Sequence, residues 1–171
     1  MKKILLCLIV MAFMVVSVGC NNGGSTHSTG TTENTAPSTK PAVQMDVSAL
    51  KADVLQQFQV EDSMDMPKDR LTDMYGFAQD DIKASACYIT MGGAFVEEFI
   101  LLECTDSAAA DRIVQKLEVK LSDARSQAMN YDAESYAMLE DCKVQRNETY
   151  VALFICGNAP QMQQMFDKAV K

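Results

Sequence analysis

The side chains best suited to covalent or metal chemistry are six cysteines and a single histidine. His27 lies in a stretch of small polar residues, so the sequence after it offers no histidine for Ser-His-Asp catalysis, Cys-His catalysis or metal binding. The cysteines form no Cys-x-x-Cys pair, and the glycines form neither a P-loop nor a dinucleotide fingerprint. We therefore expect no catalytic residue, no cofactor and no metal, although a catalyst built on a lone Cys, Lys or carboxylate pair stays open.

Cys20 is the cysteine whose neighbours indicate a modification. It follows Ser17, Val18 and Gly19, an order similar to a lipobox, in which a small residue precedes a cysteine that receives diacylglycerol. Ser17 stands where an aliphatic residue is usual. We predict lipidation at Cys20; the alternative is an ordinary secretory signal in which Cys20 is incidental.

The residues before Cys20 have the features of a lipoprotein export signal. Lys2 and Lys3 form a positive start, and the 15 residues from Ile4 to Val18 are apolar apart from Ser17. A stable membrane-spanning helix needs roughly 20 residues, so this run is better explained as a cleaved signal over residues 1–19.

Residues 20–45 are expected to tether the rest of the chain to the lipid. Asn, Gly, Ser, Thr and Pro dominate from Asn21 to Val43. Too few apolar groups are present to offset the entropy of ordering, so we expect a disordered tether with a root-mean-square span of about 25 to 30 Å. The predicted location is the extracytoplasmic face of the cell membrane, through a lipid anchor.

The charge of the chain limits its partners. The formal net charge is −8, and it becomes −10 when Lys2 and Lys3 leave with the signal. Binding to nucleic acid or to anionic lipid headgroups depends on Lys and Arg that neutralise phosphates. We therefore expect no nucleic-acid partner.

A β-hairpin is indicated by Gly92-Gly93, which separates two runs rich in β-branched and aromatic residues, 82–91 and 94–103. Glycine takes the positive φ angles of a tight hairpin turn without steric cost. A second strand pair, 141–146 and 149–156, is expected to turn at Asn147-Glu148.

The remaining patterns are helical. They predict a helix capped by Asp46 or Ser48 that extends to about residue 58, a short helix closed by Gly76, a long helix over about 107–129 and a last helix from Pro160. Helices and hairpins alternate in blocks, which predicts one α+β domain over residues 46–171. We expect two layers, with about four antiparallel strands in two hairpins and helices packed mainly on one face.

Four cysteines fall in this domain: Cys87, Cys104, Cys142 and Cys156. The turn at Gly92-Gly93 would place Cys87 opposite Glu98 and about 20 Å from Cys104, whereas a disulfide joins Cα atoms about 5.5 Å apart. In the second hairpin, Cys142 and Cys156 would point to opposite faces. Free buried thiols are therefore favoured, and disulfides between the hairpins stay open.

Acidic residues give two weaker candidate sites. Glu61-Asp62-Ser63-Met64-Asp65 is the densest acidic cluster, but it lacks the spacing and the central glycine of a calcium loop, so a solvated loop is favoured. Glu97 and Glu98 are neighbours in a strand, and their side chains would point to opposite faces. They are not expected to act as a catalytic dyad.

Tyr75, Tyr88 and Tyr150 are candidates for lining a groove. Packing in the core explains each of them equally well.

These motifs together resemble a known family. Leu71-x-x-Met74-Tyr75-Gly76, the hairpin with Glu97-Glu98-Phe99-Ile100, the long amphipathic helix and Tyr150-Val151-Ala152-Leu153-Phe154 are similar to the small lipoproteins that contain domain of unknown function 4358. The resemblance covers about residues 47–171. It implies a cell-surface lipoprotein of anaerobic Gram-positive bacteria, a setting that favours reduced thiols, and it transfers no catalytic residue.

The leading functional hypothesis is a non-enzymatic, membrane-tethered module that binds a protein, a peptide or another envelope component. The first alternative is a small-ligand-binding lipoprotein that serves a transporter or an envelope enzyme. The second is a thiol redox protein, which would require a strongly depressed thiol pKa.

Lipidation makes the first testable prediction. We expect labelled palmitate to enter the wild-type protein, and we expect a Cys20→Ala variant to lose the label and to leave the membrane fraction. A Cys20→Ala variant that stays membrane-bound as before would contradict the anchor.

Overall fold

The computed structural model describes residues 44–91 and 96–171. The predicted signal peptide, Cys20, most of the tether with His27, and the Gly92-Gly93 turn lie outside these residues.

The described residues form five α-helices and six strands. The helices are α1 (Val47–Gln57), α2 (Lys68–Tyr75), α3 (Ser107–Tyr131), α4 (Ala133–Glu140) and α5 (Ala159–Ala169). The strands are β1 (Ser63–Asp65), β2 (Ile82–Ser85), β3 (Tyr88–Thr90), β4 (Glu98–Cys104), β5 (Val144–Asn147) and β6 (Tyr150–Ile155), and one 3-10 turn covers Gln79–Asp81. This content confirms the predicted α+β class.

Local side chains fix several helix ends where the sequence indicated them. Asp46 caps α1 by accepting a hydrogen bond from the Ser48 N–H at 2.9 Å, and Asp106 caps α3 by accepting one from the Ala109 N–H at 2.7 Å. Gly76 ends α2 with φ +67°, the left-handed conformation that glycine adopts without strain.

The strands form one antiparallel sheet in the order β1-β3-β4-β6-β5. β3 pairs with the first residues of β4, and β2 pairs with its last residues. The single strand expected over 82–91 is therefore two strands, which run in succession along the same side of β4. They are interrupted at Ala86-Cys87, although the Ala86 N–H still donates to the Leu101 carbonyl at 2.9 Å. Together with β1, this interruption accounts for six strands instead of about four.

The expected register of the first hairpin is wrong. Tyr88 lies opposite Phe99, which places Cys87 near Ile100 instead of opposite Glu98. The hairpin is centred one residue later than a turn at Gly92-Gly93 would require. Cys104 pairs with Ile82, so Cys87 and Cys104 remain about four strand residues, or about 13 Å, apart.

The second hairpin is also shifted by one residue at its turn. Asn147 pairs with Tyr150, and the turn consists of Glu148 and Thr149, with Glu148 at φ +52°. Asn147 is the last residue of β5, and its side-chain amide donates to the Val170 carbonyl at 3.3 Å. The shift brings Cys142 next to the end of β6, closer to Cys156 than expected.

Helices cover both faces of the sheet, whereas the expectation placed them mainly on one. Glu98 and Phe99 are consecutive in β4 and point to opposite faces. Glu98 forms an ion pair with Lys120 of α3 at 2.9 Å, while Phe99 stacks on Tyr88, and Lys51 of α1 lies 5.9 Å from the Tyr88 ring centre. The sheet is thus sandwiched between α3 on one side and α1, with its neighbour α5, on the other.

The second covering layer is needed because β6 is apolar along its whole length. All six of its residues are buried. Phe154 stacks on Phe99 of the neighbouring strand with ring centres 4.7 Å apart, and Phe99 stacks in turn on Tyr88 at 4.9 Å. Stacked aromatic pairs stabilise a core beyond the burial of their area, so this row joins three adjacent strands.

The aromatic row makes the second prediction. Phe154 is 1 % exposed, so Phe154→Ala leaves a cavity and should lower the free energy of unfolding by about 3 to 5 kcal/mol. Tyr131 is 87 % exposed, and Tyr131→Ala should change it by less than about 0.5 kcal/mol. Urea unfolding followed by circular dichroism measures both, and a Phe154→Ala loss as small as that of the control would contradict this packing.

Candidate functional site

A pocket of about 560 Å³ opens at one end of the sheet. Its walls come from four places: the segment after α1, the facing ends of β3 and β4, the start of α4, and the start of α5. The lining residues are Phe58, Gln59, Val60, Glu61, Asp62, Thr90, Glu97, Asp132, Glu134, Ser135, Met138, Gly157, Asn158 and Met162.

The pocket lies at the opposite end of the sheet from the point where the chain enters the domain. The Met45 N–H donates to the Tyr150 hydroxyl at 3.0 Å, and Tyr150 is the first residue of β6. Gly157 of the pocket lies two residues beyond Ile155, the last residue of β6. α1 covers this distance, since its 11 residues rise about 16 Å from beside Met45 to Phe58 at the pocket.

The apolar part of the lining consists of Phe58, Val60, Met138 and Met162. All four belong to the core or pack against it. Methionine side chains adapt to differently shaped partners, so this surface can accommodate apolar groups of more than one shape.

Five carboxylates make up most of the polar lining: Glu61, Asp62, Glu97, Asp132 and Glu134. Among the described residues of the lining there is no lysine, arginine or histidine. The five salt bridges of residues 44–91 and 96–171 all use other acids. The pocket therefore carries concentrated negative charge with no basic side chain bound to it in the described part of the chain.

Asp132 differs from the other four because it caps α4. Its carboxylate accepts hydrogen bonds from the Glu134 and Ser135 N–H groups at 3.1 Å and from the Ser135 hydroxyl. These hydrogen bonds, those from Ser135 above all, lower the pKa of Asp132. The other four carboxylates are left to face the solvent in the pocket.

Unusual backbone conformations shape the wall that follows α1. Gln59 and Asp62 have φ angles of 49° and 51°, in the left-handed region that non-glycine residues seldom adopt. The hairpin holds this wall in place, because the Met91 N–H donates to the Asp62 carbonyl at 2.9 Å. On the facing strand ends, the Glu97 N–H donates to the Thr90 hydroxyl at 3.1 Å.

The acidic stretch 61–65 is divided by the structure. Glu61 and Asp62 line the pocket, while Ser63 begins strand β1. In the described residues, no group of three His, Cys, Asp or Glu side chains is placed to hold a metal ion.

Glu97 and Glu98 point to opposite faces, as the strand pattern predicted. Glu97 reaches the pocket. Glu98 lies on the α3 face, where it accepts a hydrogen bond from the Tyr75 hydroxyl at 2.7 Å and pairs with Lys120. Desolvation of the hydroxyl, reinforced by the charge of Glu98, raises the pKa of Tyr75. This cluster fastens α2 and α3 to β4.

The three candidate groove tyrosines are absent from the pocket lining. Tyr75 binds Glu98, Tyr88 belongs to the aromatic row, and Tyr150 accepts the Met45 hydrogen bond. Core packing accounts for each of them.

The four domain cysteines are free and buried. Burial raises the pKa of the Cys87 and Cys156 thiols to about 12 and that of Cys104 to about 11, and it also raises the pKa of Cys142. Reactive thiols have depressed pKa values, so these environments disfavour the thiol redox alternative.

The contribution of α4 is not among the sequence predictions, which place no helix between residues 129 and 141. Asp132, Glu134, Ser135 and Met138 all reach the pocket from it. Asp132 was an available signal, since Asp is a preferred N-cap and the following residues are mostly good helix formers.

The family model described as domain of unknown function (DUF4358) matches residues 56–156, which is more than half of the chain. The chain belongs to the DUF4358 family. The match extends from the end of α1 to the end of β6, so it contains most of the pocket. No curated protein and no solved structure matches the chain.

The described part of this DUF4358 protein contains no helix with the length and apolarity needed to span a bilayer.

The buried thiols of the DUF4358 domain make the third prediction. Thiols in the unfolded chain ionise near pH 8.5, whereas the folded domain keeps them protonated, so the unfolded state releases protons first and the free energy of unfolding falls above about pH 8.5. Urea midpoints between pH 7.5 and 9.5 measure this fall in a Cys20→Ala chain that begins at residue 20.

A Cys87→Ala variant should show a shallower fall, because a buried thiol with a pKa raised to about 12 is gone. A midpoint that stays constant or rises with pH would contradict the buried, protonated thiols.

Proposed function

We propose that this DUF4358 protein is a non-enzymatic binding module, held at the extracytoplasmic face of the membrane by a lipid on Cys20, and that the pocket is its binding site. The observation that carries the proposal is the composition of the pocket. It combines an adaptable apolar surface with carboxylates that have no basic partner among the described residues.

Binding fits this lining better than catalysis. Ser135 and Asp132 of the lining form a hydrogen-bonded pair of hydroxyl and carboxylate, but this pair caps the start of α4. A general base for neutral conditions needs a pKa close to the working pH, whereas the hydrogen bonds to Asp132 lower its pKa.

The position of the pocket supports a partner that approaches from outside the membrane. The chain enters the domain beside Tyr150, and the pocket lies at the far end of the sheet. A lipid on Cys20 would be connected to the domain at the end of the sheet near Tyr150. The pocket opens at the opposite end of the sheet. A tether of about 25 residues adds further reach on the order of 25 to 30 Å.

A second candidate is a lipoprotein that binds a small ligand for a transporter or an envelope enzyme. The volume of the pocket favours it, because about 560 Å³ falls within the roughly 300 to 1,000 Å³ typical of small-molecule sites. The charge of the lining would select a small cation.

Gly157 offers a direct way to block the pocket and makes the fourth prediction. A Cβ atom at this position would meet no heavy atom within 4 Å, and the φ angle of Gly157 is not in the left-handed region. Gly157→Phe should therefore fill the opening without disturbing the fold, and Gly157→Ala is the matched control.

The measurement is crosslinking and capture of the full-length protein from its own membranes, with quantitative mass spectrometry. Proteins recovered with the wild type and with Gly157→Ala should fall at least tenfold with Gly157→Phe, while the thermal unfolding midpoint stays within about 2 °C. Equal recovery with Gly157→Phe, or no protein above background with the wild type, would contradict the proposal that the protein is a binding module. Native mass spectrometry tests the second candidate, which requires a small molecule that leaves when Gly157→Phe is introduced.

A further inference from the structure

We propose that the occupant of the pocket is an extended segment of a second protein, which pairs with the open edge of β1 and places a lysine or arginine side chain among the pocket carboxylates. This inference rests on the proposed function, because it names the class of partner for the same site.

The negative charge of the pocket favours a positively charged side chain of the partner. Four of its carboxylates are left over once Asp132 is assigned to the cap of α4. None of the four is paired with a basic side chain in the described residues, in contrast to Asp65, Asp81, Glu98, Glu103 and Asp111 elsewhere on the domain. A ligand cation would be attracted by these unpaired carboxylates, whereas an anionic lipid or a nucleic acid would be repelled by them.

The backbone of β1 favours a partner segment in the extended conformation. β1 is the outermost strand on its side of the sheet. On its inner side, the Met66 N–H donates to the Cys87 carbonyl and the Asp62 carbonyl accepts from Met91. Antiparallel pairing alternates along a strand, so Ser63 and Asp65 direct their N–H and C=O groups outward. Such an edge is a template for another strand.

The edge and the pocket are continuous. Glu61 and Asp62 line the pocket and lead directly into Ser63. A segment paired with β1 therefore passes the pocket, and every second side chain, about 7 Å apart, faces the same way. One of these side chains can enter the pocket while the strand pairing continues.

An apolar surface adjoins the same corner. Met91 and Val96 are 67 % and 54 % exposed, and they follow Thr90 and precede Glu97 of the pocket wall. A small amine held by the carboxylates would leave these side chains uncovered. A peptide segment with apolar residues beside its lysine or arginine would cover them, which favours a protein partner over a free amine.

The probe that tests this inference is a phage-displayed library of random linear 12-residue peptides, selected on a chain that begins at residue 20 and carries Cys20→Ala. We expect the enriched peptides to contain lysine or arginine next to β-branched or aromatic residues. The affinity of the most enriched peptide is then measured by isothermal titration calorimetry.

Changes on the two partners separate the two contacts. Glu61→Gln with Glu97→Gln should weaken the selected peptide about tenfold, while Glu118→Gln with Asp123→Asn, which removes the same charge from the exposed surface of α3, should leave its affinity within about twofold. N-methylation of alternate peptide amides removes the N–H groups that pair with β1 and leaves the pocket unchanged. Methylation of one alternate set should weaken the peptide at least fivefold, and methylation of the other set should not.

The inference is overturned by a selection that enriches no peptide, by enriched peptides without lysine or arginine, or by an affinity that stays unchanged whichever set of alternate peptide amides is N-methylated. It is also overturned if spermine binds the chain as tightly as the best peptide, since the edge pairing would then contribute nothing. If Gly157→Phe still removes partners from membranes in any of these cases, the binding module stands and only the class of partner is wrong.

Discussion

The burial of β6 on both faces is the constraint on which this structure depends. A strand with no polar face, Tyr150 to Ile155, requires a packed layer above and below the sheet. α3 supplies one layer, and α1 with α5 supplies the other. The row of stacked rings from Tyr88 through Phe99 to Phe154 then ties β6 to its neighbours.

The pocket is a consequence of this sandwich. α1 ends where α5 begins, at the same end of the sheet, and α3 turns back into α4 at that end. Helix ends cannot close against one another as tightly as helix sides, because the connecting segments carry polar backbone that must face water. The acids in those segments therefore line an opening at this end of the sheet. The thiols, in contrast, lie within the packed layers, where burial keeps them protonated.

The sequence predicted those features that are determined by neighbouring residues. Asp46 and Gly76 act on their own helix ends, so the limits of α1 and α2 follow from local chemistry. Features set by distant contacts were missed. The turn after Asn147 lies one residue later than expected, and Asn147 forms a hydrogen bond with the distant Val170 carbonyl. The three residues of β1 pair with β3, a contact that no local pattern in the sequence indicates. The acids of the pocket lie far apart in the chain, and no spacing in the sequence brings Glu61 near Glu134.

The central claim is that the end of the sheet with the pocket is the surface that contacts a partner. Photocrosslinking in cells tests it most directly, with a benzophenone amino acid placed at Glu134 in the pocket or at Asp80, an exposed residue beside the start of β2. The account predicts a crosslinked protein adduct from position 134 and none from position 80. Adducts of equal yield from both positions, or no adduct from position 134, would contradict it.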